Sequence, residues 1–265
     1  MLHSKSIKSL AIGSLAAALC VAGQSALAHT SGKDPVTEGT SSFNALQIGH
    51  TCELENGKKI PIVAQSVVFP TVSPTVTQLV ITDNKTNPVT TQETPTTLDA
   101  EITDALGIAG KADLIQNRDI FKRQNEIYDA KGNVIGFNGT HGRLDSNLRG
   151  LVPFRFTPVT FKATSCAKRM LVKIAVADIC KKGVFPPKAG TANLWIPATT
   201  AKFTDSMIDG IGRPANLTIN RDTKNNPLPE TGCPTNADGS VGYDVVVVPS
   251  ASDVDANLPI KGYWD

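Results

Sequence analysis

The chain has few aromatic residues, no excess of charge of one sign, and none of the short motifs that mark common catalytic sites. Phe, Trp and Tyr make up 5% of its 265 residues, which leaves few rings for the aromatic face that a polymer-degrading enzyme usually offers. Its 26 Lys and Arg are balanced by 24 Asp and Glu, without runs of like charge, so the sequence predicts no nucleic-acid partner. The patterns GxSxG, CxxC, HxH and HxxxH are absent, which argues against a common serine hydrolase and against a thiolate metal site.

The one long apolar run lies near the start of the chain and predicts a secretory signal peptide. Lys5 and Lys8 precede the run, which covers residues 10–23, and Ala26 and Ala28 supply the small side chains that a signal peptidase reads. The run is too short for a permanent membrane anchor, which needs about twenty apolar residues. We therefore expect residues 1–28 to be removed, and a periplasmic or secreted protein that does not span the membrane.

The mature chain, residues 29–265, carries the patterns of an all-β protein. Because Lys5 and Lys8 leave with the signal peptide, it has 24 basic and 24 acidic side chains. Segments rich in Val, Ile, Thr and Phe predict strands at residues 60–69, 75–82, 151–163, 170–179 and 243–248. A hairpin is predicted with strands at 120–129 and 134–137 around a turn at 130–133.

Helical periodicity is limited to residues 98–108, and two polar, Pro-containing segments, 84–97 and 220–240, predict long surface loops. No internal repeat is present. We predict a single β-sandwich, immunoglobulin-like or cupredoxin-like, over residues 29–265. Trp195 and Met207 are predicted to pack in the core with Met170, and Trp264 to anchor the C-terminus.

Four cysteines remain after Cys20 is lost with the signal peptide, and an even set in an exported protein predicts two disulfides. The four are Cys52, Cys166, Cys180 and Cys233. Three connectivities are possible. We favour Cys166 with Cys180, as a link between neighbouring strands, and Cys52 with Cys233.

Cleavage after Ala28 makes His29 the first residue, where its α-amine and imidazole can chelate one metal ion. Cu(II) is the divalent ion that binds nitrogen sites most tightly, and the α-amine loses its proton to copper readily because its ordinary pKa is about 7.7 to 8.0. A second imidazole completes the arrangement called a histidine brace. His50, beside Cys52 at the end of a predicted strand, is the first choice for that partner, and His141, in a flexible loop after the hairpin, is a weaker third candidate.

The mature start His29-Thr30 and the segments 43–52 (FNALQIGHTC) and 61–70 (PIVAQSVVFP) resemble the YcnI-like family of exported copper-binding proteins. The resemblance covers about residues 29–75, and Thr51 stands where the family's His-Gly-Cys-like turn has Gly. It implies a β-sandwich that binds copper through the N-terminal histidine and takes part in copper handling. His29 alone is carried over as a family ligand, whereas His50 and His141 are inferred from their own context.

These observations favour a periplasmic copper-binding protein that sequesters or delivers the ion without turnover. A membrane copper transporter or a copper enzyme would be its donor or acceptor. Two alternatives remain open. A histidine-brace copper oxidase or polysaccharide monooxygenase would consume O2 or peroxide when given ascorbate, and a metal-free exported β-domain for surface interaction would contain no copper when isolated from its host.

Overall fold

The computed structural model describes residues 30–103 and 112–264, and strands make up 43% of the chain against 5% for helices. The all-β prediction is therefore confirmed. The first half of the described chain contains nine strands and one short helix: β1 (Ser31–Gly32), β2 (Val36–Thr37), β3 (Ser42–Ile48), β4 (Cys52–Glu53), β5 (Lys59–Ile60), β6 (Ala64–Val68), β7 (Thr75–Asp83), β8 (Thr90–Thr96), α1 (Leu98–Glu101) and β9 (Ala112–Leu114). The second half contains β10 (Phe121–Tyr128), β11 (Val134–Gly142), β12 (Gly150–Phe156), β13 (Ala167–Ile179), β14 (Ala192–Trp195), β15 (Ala215–Asn220), β16 (Tyr243–Val248) and α2 (Ala251–Asn257).

A ten-stranded sheet dominates the fold, and the 13-residue strand β13 runs through its centre. The first part of β13 pairs with β15 and β16, and its last part pairs with β6 and β14. A four-stranded sheet, in the order β1-β3-β12-β9, forms the second layer. Each residue near the end of β13 thus has a neighbour on both sides, which makes this end a rigid base for side chains.

The main core lies between the two sheets. Phe154 of the small sheet packs against Phe69 and Phe137 of the large one, with ring centroids 6.0 and 6.2 Å away. A second core covers the outer face of the large sheet, where Phe203 and Trp264 contact each other with centroids 5.6 Å apart. Because the alternating side chains of β13 enter both cores, its second half is buried on both faces. The burial of Trp264 agrees with an anchoring role at the C-terminus.

The hairpin and the strands at 75–82 and 243–248 are confirmed, whereas the loop predicted at 84–97 is wrong in its second half. Residues Thr90–Thr96 form β8, which pairs antiparallel with β7. Its Thr residues suit a strand. β8 is the edge strand of the described sheet, and an edge strand tolerates Pro95, which has no N–H to donate to a further strand. The helix predicted at 98–108 is reduced to α1 among the described residues, and residues 104–108 of that prediction lie outside them.

The expectation of two disulfides is confirmed, but the favoured pairing is wrong. Cys52 is bonded to Cys180, and Cys166 to Cys233. Cys166 and Cys180 immediately precede and follow β13, so an extended strand of roughly 45 Å separates them. Disulfide partners lie within about 7 Å at Cα. Two disulfides are typical of a protein from an oxidising compartment, and in the described part of the chain no helix has the length and apolar character of a membrane span.

Candidate metal centre

A buried carboxylate marks one end of the core between the sheets. Asp178, near the end of β13, is fully buried. Its Oδ2 accepts hydrogen bonds from the Thr30 hydroxyl at 2.8 Å and from the Trp195 indole N–H at 2.6 Å. Its Oδ1 accepts from the amide of Gln65, its partner on the neighbouring strand, at 2.7 Å. Burial raises the pKa of Asp178, and the three hydrogen bonds oppose that rise.

His50 lies next to this carboxylate because a disulfide holds its turn against β13. The Cys52–Cys180 bond joins the residue two positions after His50 to the residue two positions after Asp178. The His50 ring meets the Trp195 indole edge to face, with centroids 5.4 Å apart and an interplanar angle of 84°. The expected position of His50, just past the end of β3 and beside a disulfide, is confirmed.

Both ring nitrogens of His50 face an acceptor. Nδ1 lies 2.9 Å from the carbonyl oxygen of Thr51, so Nδ1 carries the proton that is donated there. In the neutral ring the lone pair is then on Nε2, which lies 3.2 Å from Oδ2 of Asp209. Beside the charge that Arg213 already supplies to Oδ1 of Asp209 at 2.5 Å, a cation between Nε2 and Oδ2 would be favourable. A proton can supply it, since the hydrogen bond with Asp209 raises the pKa of His50 although burial lowers it.

A metal ion can supply it as well. Fixing Nδ1–H on a backbone carbonyl while Nε2 faces outward is the arrangement found in metal-binding histidines. The 3.2 Å separation of His50 Nε2 and Asp209 Oδ2 also suits two atoms that each lie about 2.0–2.2 Å from one ion, as in zinc sites. The chemistry of this donor pair therefore fits a first-row metal.

Asp209 is supplied by a tight turn that packs on β14. The side chain of Ile208 is buried in the outer core, with 2% exposure, whereas Met207 and Asp209 on either side are 81% and partly exposed. The Asp209 carbonyl accepts from the Leu194 N–H at 2.7 Å. Gly210 follows at φ +102°, and a Cβ there would lie 2.6 Å from the Leu194 carbonyl oxygen. This turn can therefore approach β14 only with glycine at that position.

A cavity of about 190 Å³ opens beside His50. Its lining combines three irregular segments with one residue each of β4 and β14: His50, Thr51, Glu53, Ala189, Gly190, Asn193, Met207 and Asp209. Two buried groups of these residues, the Thr51 hydroxyl and the Asn193 amide nitrogen, have no hydrogen-bond partner among the described residues. Buried polar groups are normally satisfied, so the wall of the cavity contains two polar groups whose hydrogen-bonding capacity is unmet.

His141 lies elsewhere and is not in a flexible loop. It is the second-last residue of β11 and has a left-handed φ of 54°. Its Nδ1 lies 3.1 Å from the Thr140 hydroxyl, and its ring contacts Tyr263 with centroids 6.2 Å apart. His141 thus contacts Thr140 and Tyr263, whereas His50 contacts Thr51, Trp195 and Asp209. A role for His141 as third ligand stays a prediction.

His29 lies outside the described residues, and only its neighbour in sequence can be placed. Thr30 is 1% exposed and is held by Asp178, across a sequence separation of 148 residues. Thr30 therefore belongs to the cluster around Asp178 that also contains Trp195, the ring that His50 contacts.

The described residues alone provide too few ligands for a closed metal site. Within residues 30–103 and 112–264, no group of three His, Cys, Asp or Glu side chains is arranged to hold a metal ion. His50 and Asp209 form a pair, and the four cysteines in the described ranges are bonded in two disulfides. A metal ion held by this pair would need further donors.

Three residues of the centre were missed or misread from the sequence. Asp178 follows an apolar strand pattern and Asp209 lies in an irregular loop, so neither position signals a site. Met170 is fully buried, as predicted, but the core position predicted for Met207 is wrong because the turn directs Ile208 inward in its place. The packing role of Trp195 is confirmed, and its indole N–H adds a polar contact.

Comparison of this chain with protein-family models, with curated proteins and with solved structures found no match. The function therefore has to be argued from the site itself.

Proposed function

We propose that this protein binds copper in the periplasm and sequesters or delivers it, with the processed N-terminus and His50 as ligands. The observation that carries the proposal is the facing pair of His50 Nε2 and Asp209 Oδ2 at 3.2 Å, a nitrogen and an oxygen donor whose separation suits one shared ion. The pair supplies one nitrogen and one oxygen. The α-amine and imidazole of His29 would add two nitrogens, which gives the nitrogen-rich set that Cu(II) prefers.

The anchoring of Thr30 supports this assignment. Its hydroxyl is bound to the same Asp178 oxygen as the indole N–H of Trp195. The segment that follows the predicted cleavage site is thus fixed to the carboxylate beside His50. A fixed attachment point lowers the entropy that a terminal residue loses on closing a chelate.

Bound copper would be held by these groups, and the proposal assigns no turnover. In that arrangement Asp209 is a fourth donor or a hydrogen-bond partner of a bound water, and His141 is a candidate for a further contact. A membrane copper transporter or a copper enzyme would supply or receive the ion.

The test is a Cu(II) titration of the processed protein, which begins at His29, followed by electron paramagnetic resonance. We expect one tight site with nitrogen coupling. A processed chain whose His29 α-amine is acetylated keeps every side chain but loses the amine ligand of the terminal chelate, and we expect its affinity to fall by about tenfold or more. His50→Ala should weaken binding similarly. Equal affinity of the acetylated and unmodified chains would refute the proposal.

Thr30→Val separates anchoring from ligation, since it keeps His29 and the shape of the side chain but removes the hydroxyl that binds Asp178. We expect weaker Cu(II) binding by a folded variant. The matched control is Thr37→Val, at an exposed position of β2, which should bind like the wild type. Unchanged binding by Thr30→Val would contradict the anchoring role.

A further inference from the structure

The exposed thioether of Met207 is a sulfur donor in the lining of the His50 cavity, and a copper site would use it in the Cu(I) state. Met207 is 81% exposed and lies two residues from Asp209 in the same turn. A single exposed apolar side chain is ordinary on a protein surface. Met207 differs from such a residue because it lines the same cavity as His50, so a soft sulfur donor and an imidazole face one space.

The turn holds Met207 on this side of the molecule. Its backbone N–H donates to the Asp205 carboxylate at 2.9 Å, and the next side chain, Ile208, is inserted into the outer core. Burial of Ile208 directs its two neighbours away from that core. Met207 and Asp209 therefore both line the cavity that His50 also lines.

We propose that Met207 is a ligand for Cu(I) in this cavity, with the imidazole of His50 as the second protein ligand. The proposal rests on the proposed function, and it adds the oxidation state and a sulfur donor. A thioether is a soft donor and selects Cu(I), whereas the carboxylate of Asp209 is a hard donor and suits Cu(II). The cavity thus offers His50 to both ions, with a different second donor for each.

Sulfur ligation can be assigned without ambiguity in this chain. Its four mature cysteines are bonded in pairs, and the mature sequence contains two methionines, Met170 and Met207. Met170 is fully buried in the main core. Any copper–sulfur contact at the surface therefore reports on Met207.

The experiment measures Cu(I) binding by the processed full-length protein under anaerobic conditions, in competition with bicinchoninate, together with X-ray absorption of the Cu(I) form. Leucine has nearly the volume of methionine, so Met207→Leu and the control Met170→Leu both preserve packing. We expect Met207→Leu to lose the sulfur scatterer and about tenfold or more of Cu(I) affinity. Its Cu(II) affinity should stay within about twofold of the wild type, and Met170→Leu should match the wild type for both ions.

Two results would overturn this inference: a wild-type Cu(I) spectrum with nitrogen and oxygen scatterers alone, or sulfur scattering that persists in Met207→Leu. Failure of the proposed function has a different signature. In that case the wild-type protein would not bind Cu(II) tightly, or would bind it equally well after acetylation of the His29 α-amine.

Discussion

Replacement of Asp178 tests whether one buried acceptor organises the metal centre. Asp178→Ala removes the acceptor of three buried donors, those of Thr30, Gln65 and Trp195. Asp178→Asn keeps the shape but exchanges one oxygen for an NH2 group. The two variants should differ in stability, because only the first leaves all three donors without a partner.

The magnitudes follow from the partners. Each buried donor that loses its acceptor costs about 1–3 kcal/mol, and the removal of a costly buried charge offsets part of the total, so Asp178→Ala should cost about 3–5 kcal/mol. In Asp178→Asn the amide oxygen can still accept from Thr30 and Trp195. The Gln65 side-chain oxygen has no partner in the described structure, so a flipped Gln65 amide can accept from the new NH2 group, and we expect a cost of about 1–2 kcal/mol.

Urea unfolding followed by circular dichroism gives both free energies of unfolding, with unchanged m-values as evidence that the native state is intact. A cost below about 1 kcal/mol for Asp178→Ala would refute the view that this carboxylate stabilises the cluster. Equal costs for the two variants would show that the charge, and not the set of hydrogen bonds, is what the fold requires.

Three further predictions concern the turns around the site. Gly210→Ala should destabilise the protein by more than the control Gly212→Ala. Gly212 also has a left-handed φ, but a Cβ added there would have no neighbouring atom within 4 Å, so the control should cost about 1–2 kcal/mol. Equal free energies of unfolding for the two variants would contradict the steric argument. Asp209→Asn should lower the pKa of His50, measured by NMR titration, because the hydrogen bond that His50 donates to Asp209 is the largest cause of its rise. A His whose pKa is raised in the folded state stabilises the fold below its unfolded pKa of about 6.5, and this stabilisation is lost as the pH rises through the folded pKa. The metal-free wild type should therefore lose stability over that window and the variant should lose less; parallel pH profiles would refute this. Replacement of both cysteines of the Cys52 disulfide by alanine should cost up to about 5 kcal/mol, since the bond closes a loop of 128 residues, and peptide mapping without reduction should recover Cys52 with its partner beyond β13.

The sequence predicted the fold class because strand patterns are local, and it predicted His50 at a strand end for the same reason. It could not predict the site, because Thr30 meets Asp178 through a side-chain hydrogen bond across a separation of 148 residues, and Asp209 reaches His50 from a distant irregular turn. The disulfide prediction failed on a related point. The favoured pairing of Cys166 with Cys180 assumes that the two cysteines lie on neighbouring strands, whereas they lie at opposite ends of the single strand Ala167–Ile179.

The aspartate at position 178 indicates what its cluster with Thr30, Gln65 and Trp195 contributes to the protein. Val176, two residues earlier on the same face of β13, fills the core with a side chain that carries no desolvation cost. A hydrophobic residue at 178 would often be as stable as a buried charge with its partners. What it could not do is accept hydrogen bonds from the Thr30 hydroxyl and the Trp195 indole together. The buried carboxylate therefore fixes the positions of these two groups, which a hydrophobic side chain would leave without an acceptor. If copper binds here as proposed, that positioning is what a centre assembled from distant segments requires.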